Sequence, residues 1–458
     1  MANREIDKNP RSVALRLLKN VAIDGSYANL ELPRLLARSG MDTRDKALTQ
    51  ELAFGTIRWQ YFYDLTIEVC SRRHVSEIDI ETLLVLRLGV HQLLATRIPA
   101  HAALDQSVEL AKREVSRGAS GFVNGVLRRI SEKSREQWLQ IVLDGVEDPH
   151  EILSIKYSHP IWIVKSLAQS LSLDGRPEEL ETLLKADNSA PLVQLVALGG
   201  IHVQVSDQLS VGPANPNGFT LKAGDPRDLA EFRSGLLRVQ DQGSQLAALV
   251  LTTVKPIEHG EMWLDMCAGP GGKAALLASI AKTSKASLIC NEISEHRAKL
   301  VRQALSAVDA SVQVKQADAR LIGDELPATF DRILLDAPCT GLGALRRRPE
   351  ARWRKTVIDV SVLSKLQEQL LESAWKALKP EGVLAYVTCS PHVAETNSII
   401  DWAKRKLVGY QLLDAREILH SINPQLILNK NRKTVQLWPH VHQTDAMFIA
   451  LLQKTTTG

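Results

Sequence analysis

Two cysteines stand where short apolar runs end. The stretch "FDRILLDAPCTG" carries Asp336 at the end of its run and Cys339 shortly after, and "GVLAYVTCSPH" closes a second run at Cys389. An acid and two thiols suit one demanding reaction, methyl transfer to carbon 5 of a pyrimidine. That carbon is a poor nucleophile until a thiolate adds to carbon 6 and makes the ring enamine-like. Carbon 5 can then attack a methyl sulfonium, after which its proton is removed and the thiol leaves. One thiol must be readily ionised, and an acid at a ring nitrogen would stabilise the adduct. Methylation of an amine or a hydroxyl needs no such adduct. The residues alone leave open whether Cys339 or Cys389 attacks.

Three more apolar runs end in the same way. "EMWLDM" gives Asp265 and then Cys267, "ASLICNE" gives Glu292, and "SVQVKQAD" gives Asp318. Any one acid could be a helix N-cap. An acid or thiol at every run end is instead the pattern of an open α/β sheet, where ligands bind outside the carboxyl ends of the strands. After the first run comes "DMCAGPGGKAALLAS", the loop Cys267, Ala268, Gly269, Pro270, Gly271, Gly272, Lys273. Glycines there let a backbone approach a ligand at a helix N-terminus. The loop is not a Walker A motif: Cys267 stands where glycine is needed, and Ala274 where Ser or Thr would hold magnesium. Nor is it G-x-G-x-x-G. Glu292 lies about where a carboxylate holds ribose hydroxyls. A nucleoside without strong phosphate recognition is expected, and S-adenosylmethionine fits.

The elements that must position these groups fall into three segments. From Arg11 to about Lys133 apolar residues recur at helical spacing: Val13, Leu17, Leu18 and Val21, then Ile80, Leu83, Leu84, Leu88 and Leu93. Pro99 separates two helices. Residues 1–145 therefore read as an all-α domain. Residues 146–233 read as a small α+β connector, with a helix in "HPIWIVKSLAQSL", strands in "APLVQLVALGG" and "IHVQVSDQ", and turns around "GPANPNG". From 234 to 458 the five runs alternate with helical stretches and "DAMFIALLQK" supplies a last strand, the signature of an α/β domain with parallel strands.

Composition narrows the setting. In 458 residues, 45% are hydrophobic and 24% charged, ordinary for a globular chain with a sizeable core. The N-terminus is polar, and no apolar run approaches the ~20 residues of a membrane helix; no membrane partner and a cytoplasmic location are expected. Five cysteines, an odd number without a C-x-x-C pair, argue against disulfides and a zinc site, so no metal is expected. Cys70 and Cys290 read as inert buried thiols. His91, His101, His392, His440 and His442 lack metal-ligand spacing and read as structural or RNA-facing. Net charge is only +4, but "RRRPEARWRK" gathers six basic residues around Trp353. Such a run is either a solvated face or a grip on phosphates and bases.

These motifs resemble the RsmB (Fmu/Sun) family of 16S ribosomal RNA cytosine-5 methyltransferases, within the RsmB/NOP class. "LDMCAGPGGKAALLA" is similar to the family's cofactor loop, with Gly269 where Ala is more common, and "NEISEHRAKLVRQAL" and "ADAR" to its two nucleoside acids. "LLDAPCTGLGALRRRPEARWR" and "AYVTCSPHVAET" resemble its two cysteine motifs, and "QLWPHVHQTDAMFIALLQK" its C-terminus. "ELAFGTIRWQ" and "LRLGVHQLLATRIPAHAALDQSVELAKRE" resemble a NusB-like RNA-binding domain. The resemblance covers nearly the whole chain. It implies a Rossmann-like S-adenosylmethionine-dependent methyltransferase domain behind the helical domain and connector, acting on a cytosine of small-subunit ribosomal RNA. It places Cys267 to Lys273, Glu292, Asp318 and Asp336 around the cofactor, with Asp336 also facing the cytosine. It assigns attack to Cys389 and product release to Cys339, and sets the arginine run at the mouth of the site, against RNA. Nothing demands a dimer, and a monomer is expected. Two other readings stand beside this one: the same chemistry on transfer RNA, or a non-catalytic RNA-binding assembly factor.

Overall fold

In the computed structural model, which describes residues 8–456, the chain forms two compact units. Among the described residues one comprises 8–165 together with 347–354, the other 166–346 and 355–456. The segment read as a connector divides between them: its first helix, Pro149–Tyr157, belongs with the first unit and its strands with the second.

The first unit is helical, as its periodicity predicts. Val13, Leu17, Leu18, Leu83, Leu84 and Leu88 are buried in one core. Ile80 departs from the expectation: it opens its helix, Ile80–Ala95, and stays exposed. Two glycines within helices explain the quoted motifs. A Cβ on Gly55 of "ELAFGTIRW" would lie 2.1 Å from the ring of His91, and one on Gly89 of "LRLGVHQ" 2.5 Å from Leu127. Helices Thr43–Arg58, Ile80–Ala95 and Arg117–Ile130 can pack this closely only because those Cβ atoms are missing. His91 is fully buried, with Nδ1 2.8 Å from the Tyr63 hydroxyl.

Much of the arginine run is engaged within the protein. Within the first unit, Arg352 is fully buried and donates to the carbonyls of Arg58 and Ser158. Trp353 Nε1 donates to the Ile57 carbonyl at 2.8 Å, and Arg354 to the carbonyls of Val21, Gly25 and Ser26. Glu350 accepts from the N–H of Ala28, the first residue of helix Ala28–Ser39, whose own N-cap Tyr27 offers no side-chain bond. A carboxylate there satisfies an orphan donor and complements the helix dipole. Arg348 and Arg354 lie over the Tyr27 ring. Arg352 and Arg354 thus give their donors to backbone carbonyls of the helical unit.

The second unit holds two sheets. The smaller is antiparallel, in the order β2 (Leu209–Val211), β3 (Gly218–Leu221), β1 (Val193–Ala197), β4 (Leu237–Val239). β1 matches "APLVQLVALGG". "IHVQVSDQ" does not form the strand expected of it: residues 201–206 are irregular and β2 begins at Leu209. The larger sheet contains β5 (Met262–Asp265), β6 (Ser287–Asn291), β7 (Gln313–Lys315), β8 (Phe330–Asp336), β9 (Leu378–Thr388), β10 (Tyr410–Leu413) and β12 (Phe448–Lys454), with β11 (Val435–Gln436) paired to β12. Its order is β10-β12-β9-β8-β5-β6-β7. β9, β8, β5, β6 and β7 are parallel, and β12 and β10 are antiparallel to their neighbours. Side chains alternate between two cores: Leu334, Val383, Ala385 and Val387 face one, and Ile333, Leu335, Leu384 and Tyr386 the other. Burial on both faces is why these strands read as continuous apolar runs.

The chain leaves β5 towards β6 and β7, then returns to the other side of β5 for β8 and β9. The strand order reverses between β5 and β8, and a crevice opens at such a switch point. The buried Arg352 yields a direct test of its structural role. Arg352→Ala removes two charge-assisted bonds and is expected to cost about 3 kcal/mol of stability, read by thermal unfolding. The salt dependence of RNA binding should not change; a phosphate-contacting arginine would instead lower its slope by about 1.

Candidate active site

The groups read from the run ends meet at the carboxyl edge of the larger sheet. Asp265 closes β5 and is fully buried, and the loop after it leads into helix Gly272–Ser284. Gly271 has φ +110°, and a Cβ there would sit 2.5 Å from that of Ala304. Only glycine satisfies both the left-handed backbone and the close approach. Gly269, where the resembling family more often has alanine, faces Glu292 Oε2 and Arg297 at 2.3 and 2.7 Å from where a Cβ would stand. In this chain those side chains occupy the space an alanine would use.

Lys273 reaches from the start of its helix to Asp336 at the end of β8, Nζ to Oδ2 2.8 Å. The pair spans the crevice between β5 and β8. Burial alone would lower the Lys273 pKa, but the Asp336 charge and hydrogen bond, with Cys389 and Asp265, hold it raised. Glu292 is almost fully buried; it accepts from the N–H groups of Gly269 at 3.1 Å and Ser294 at 3.0 Å, and pairs with Arg297. Asn291 ties the strand ends together, donating to the carbonyls of Met266 and Ala317.

Asp318 stands apart from this group. It caps a short 3-10 turn through the N–H of Arg320 and pairs with the Arg320 guanidinium, whose hydrogen bond holds its pKa low. Its carboxylate is about a quarter exposed, so it remains open to a further donor.

Asp265 enters the sequence analysis only as a strand-end acid, but the structure gives it a special environment. Among the described residues neither carboxyl oxygen has a hydrogen-bond partner; the Cys267 N–H pulls on it without reaching bonding geometry. Burial and the nearby Asp336 charge push its pKa up to about 8, against the weaker pull of Lys273. Burial also raises Cys267, helped by the charges of Asp265, Asp336 and Glu292. Three carboxyl groups gather around one loop, Asp336 paired with Lys273 and Glu292 with Arg297. The orphaned, buried Asp265 is the natural acceptor for the ammonium of a ligand. The residues therefore fit S-adenosylmethionine.

The thiols lie together. Cys339 Sγ and Cys389 Sγ are 3.4 Å apart, both partly exposed. The Cys389 hydrogen bond and burial push Cys339 well above the usual thiol range. Cys70 and Cys290 are buried and also raised by burial, Cys70 to about 11, in keeping with inert roles. The loop after Cys339 is stitched back by Gly343, whose N–H donates to the Cys389 carbonyl at 2.8 Å and whose carbonyl accepts from Ala446. A Cβ on Gly343 would lie 2.0 Å from the Ala446 oxygen. Arg346 closes the loop with ion pairs to Asp241 and Asp445, all three largely buried. These supports escape the sequence reading, because Asp241, Arg346 and Asp445 carry no local sign of meeting. A cleft of about 800 Å³ by β10, lined by Asp401, Lys404, Tyr410 and Lys433 among others, shares no residue with this constellation. Among the described residues no group of His, Cys, Asp or Glu could hold a metal ion, and no helix is long and apolar enough to cross a membrane.

Comparison with known proteins gives the same picture. Residues 251–453 match the family described as 16S rRNA methyltransferase RsmB/F, and residues 8–132 match the NusB family. A putative methyltransferase of Mycobacterium tuberculosis is 42% identical over 97% of this chain and 96% of its own length. The ribosomal RNA small subunit methyltransferase B of Pseudomonas putida is 32% identical over 89% of this chain and 91% of its own. The crystal structure of PH0851 shares the fold, with a TM-score of 0.79 and 21% identity, over 99% of this chain and all of that one.

Asp265 provides a pH test. Its folded pKa of about 8 lies above the ordinary 3.8, so between those values the folded protein holds a proton that the unfolded chain has lost. Stability from this group is therefore full at low pH, declines as pH rises, and is gone above about 8. Asp265→Asn lacks that decline. In thermal unfolding without ligand, its midpoint should gain on the wild type from about pH 5 to 8 and then level off. Parallel pH profiles would contradict this assignment.

Proposed function

Because the chain belongs to the RsmB/F family of S-adenosylmethionine-dependent ribosomal RNA methyltransferases, with a NusB-family domain ahead of the methyltransferase domain, we propose that it methylates carbon 5 of a cytosine in 16S ribosomal RNA through a covalent cysteine–base adduct. The observation that carries this reading is the thiol pair, 3.4 Å apart and near the Lys273–Asp336 ion pair. Methylation of a nitrogen or an oxygen would use neither thiol.

S-adenosylmethionine, when bound, supplies an electrophilic methyl sulfonium. Asp265 would accept its ammonium and Glu292 its ribose hydroxyls, with Asp318 on the adenine side and the backbone of Cys267 to Lys273 enclosing it. Ile293 is exposed beside Glu292 and offers an apolar face to the adenine ring. The target cytosine leaves any base stack to enter the crevice. Cys389 Sγ adds to carbon 6, with the Lys273 ammonium as a nearby positive charge for its thiolate. Asp336, oriented by Lys273, faces the ring nitrogen and stabilises the adduct. After carbon 5 is methylated it gives its proton to solvent water, and the freed electron pair re-forms the ring double bond as the bond from Cys389 to carbon 6 breaks, returning its electron pair to the Cys389 sulfur. Cys339, kept protonated by its surroundings, assists this release. In this reading residues 1–145 bind RNA, 146–233 connect and 234–458 carry the chemistry, in a monomer working in the cytoplasm.

Cys389→Ala should abolish methyl transfer while S-adenosylmethionine still binds; a normal rate would refute the attack. Cys339→Ala should accumulate an RNA–protein adduct that survives denaturant, and absence of that species would refute the release role. Bisulfite sequencing of total RNA from a deletion strain should show one 16S cytosine losing protection. Loss confined to transfer RNA would replace the substrate, and no loss at all would favour the non-catalytic reading.

A further inference from the structure

β8 and β9 stop pairing at Asp336 and Val387, with one further bond from Ala337 N–H to the Val387 carbonyl. Both cysteines lie beyond that point, where β8 and β9 no longer pair with each other; Cys389 directly follows Thr388, which still pairs with Phe448 of β12. Glu395, in the 3-10 turn Val393–Glu395 that follows Cys389, is fully buried between these loops. Its Oε1 accepts from the Thr340 N–H at 2.8 Å and from Gln367 Nε2 at 3.3 Å. Its Oε2 accepts from the hydroxyls of Thr340 at 2.5 Å and Ser390 at 2.6 Å. Thr340 directly follows Cys339, and Ser390 directly follows Cys389. The same Gln367 amide donates to the Pro338 carbonyl at 2.8 Å, and Tyr386, also buried, fixes the Glu395 backbone through its hydroxyl.

We infer that Glu395 is a positioning residue, a buried carboxylate that clamps the loops of Cys339 and Cys389 into the one geometry in which both thiols can address the same base. This rests on the proposed pairing of the two cysteines in one reaction. Burying a carboxylate is costly unless donors replace its water, and here four neutral donors do so. Bonds to an ionised acceptor are shorter and roughly twice as strong as neutral ones, so one carboxylate can set the spacing of two loops that share no ladder. Its charge is also among the influences that keep Cys339 protonated, behind the Cys389 bond and burial.

The test compares Glu395→Ala, Glu395→Gln and Ser390→Ala with the wild type. The readouts are kcat and KM for RNA, binding of radiolabelled S-adenosylmethionine, and the rate at which diamide joins Cys339 to Cys389. In that oxidation the two thiols lose two protons and two electrons, and the diazene becomes a hydrazine. Glu395→Ala should lower kcat about 100-fold, with KM and cofactor binding within about threefold, and slow thiol pairing about tenfold. Glu395→Gln can turn its amide so that oxygen meets the Thr340 N–H while the hydroxyls rotate to accept; it should recover wild-type thiol pairing and a kcat within about fivefold. Should Glu395→Ala not fold, Ser390→Ala, which removes one of the four bonds to Glu395 and the hydroxyl's contacts with Thr340 and the His392 N–H, should show an intermediate loss in both kcat and pairing. The clamp is overturned if thiol pairing in Glu395→Ala, or in Ser390→Ala where that variant stands in, matches the wild type, or if activity falls only in step with cofactor binding. If the wild type itself modifies no cytosine, the proposed reaction fails, while thiol pairing still reports whether Glu395 holds the loops.

Discussion

The ion pair between Lys273 and Asp336 crosses the place where the strand order reverses. β5 and β8 are adjacent and parallel, yet the chain leaves them in opposite directions, so their carboxyl ends diverge and a crevice opens. A lysine at the first turn of the helix after β5 and an acid at the end of β8 close that crevice at one point, 2.8 Å apart. In the proposed reaction the pair serves both partners: Lys273 extends from the glycine loop, and Asp336 faces the base.

The electrostatics follow from that placement. Burial, with the charges of Asp265, Asp336 and Glu292, raises Cys267, and burial with Asp265 raises Cys290, so both behave as packing groups. The cost of an unpartnered buried Asp265 is tolerable in a ligand site, where a cation can complete it. Cys339 and Cys389 instead share a bond with each other, which biases one towards keeping its proton. A division of labour between two thiols needs this asymmetry, because two equivalent thiols would compete for the same carbon.

The arginine run shows how basic residues can be engaged inside a fold. Arg346 to Lys355 has the charge and the aromatic of a nucleic-acid grip. In the fold, Arg346 pairs with Asp241 and Asp445, while Arg352, Trp353 and Arg354 satisfy carbonyls of the helical unit. A guanidinium has five donors in a rigid fork, and it serves carbonyls at helix ends as well as phosphates. Sequence gives the donors but not the acceptors, which come from residues about 100 to 330 positions away.

How far the sequence reached can be traced residue by residue. The period of Val13, Leu17 and Leu18 fixed their helix because one face had to be buried. The apolar runs ending in Asp265, Glu292, Asp336 and Cys389 fixed the sheet because parallel strands are buried on both faces and change to polar only at their ends. "IHVQVSDQ" failed as a strand because alternation over a few residues is a weak signal without a partner to pair with. The cofactor loop and both cysteines were legible because their chemistry is local: glycines for close approach, thiols for addition. What only the tertiary structure decided is which distant groups meet. The 3.4 Å between the thiols, the lone buried carboxyl of Asp265, the Asp241–Arg346–Asp445 bridge and the four donors on Glu395 all join residues remote in sequence or turned towards one another by loops. Residue type and periodicity record what a side chain can do, whereas its partner and its burial are set by the packing of the whole unit.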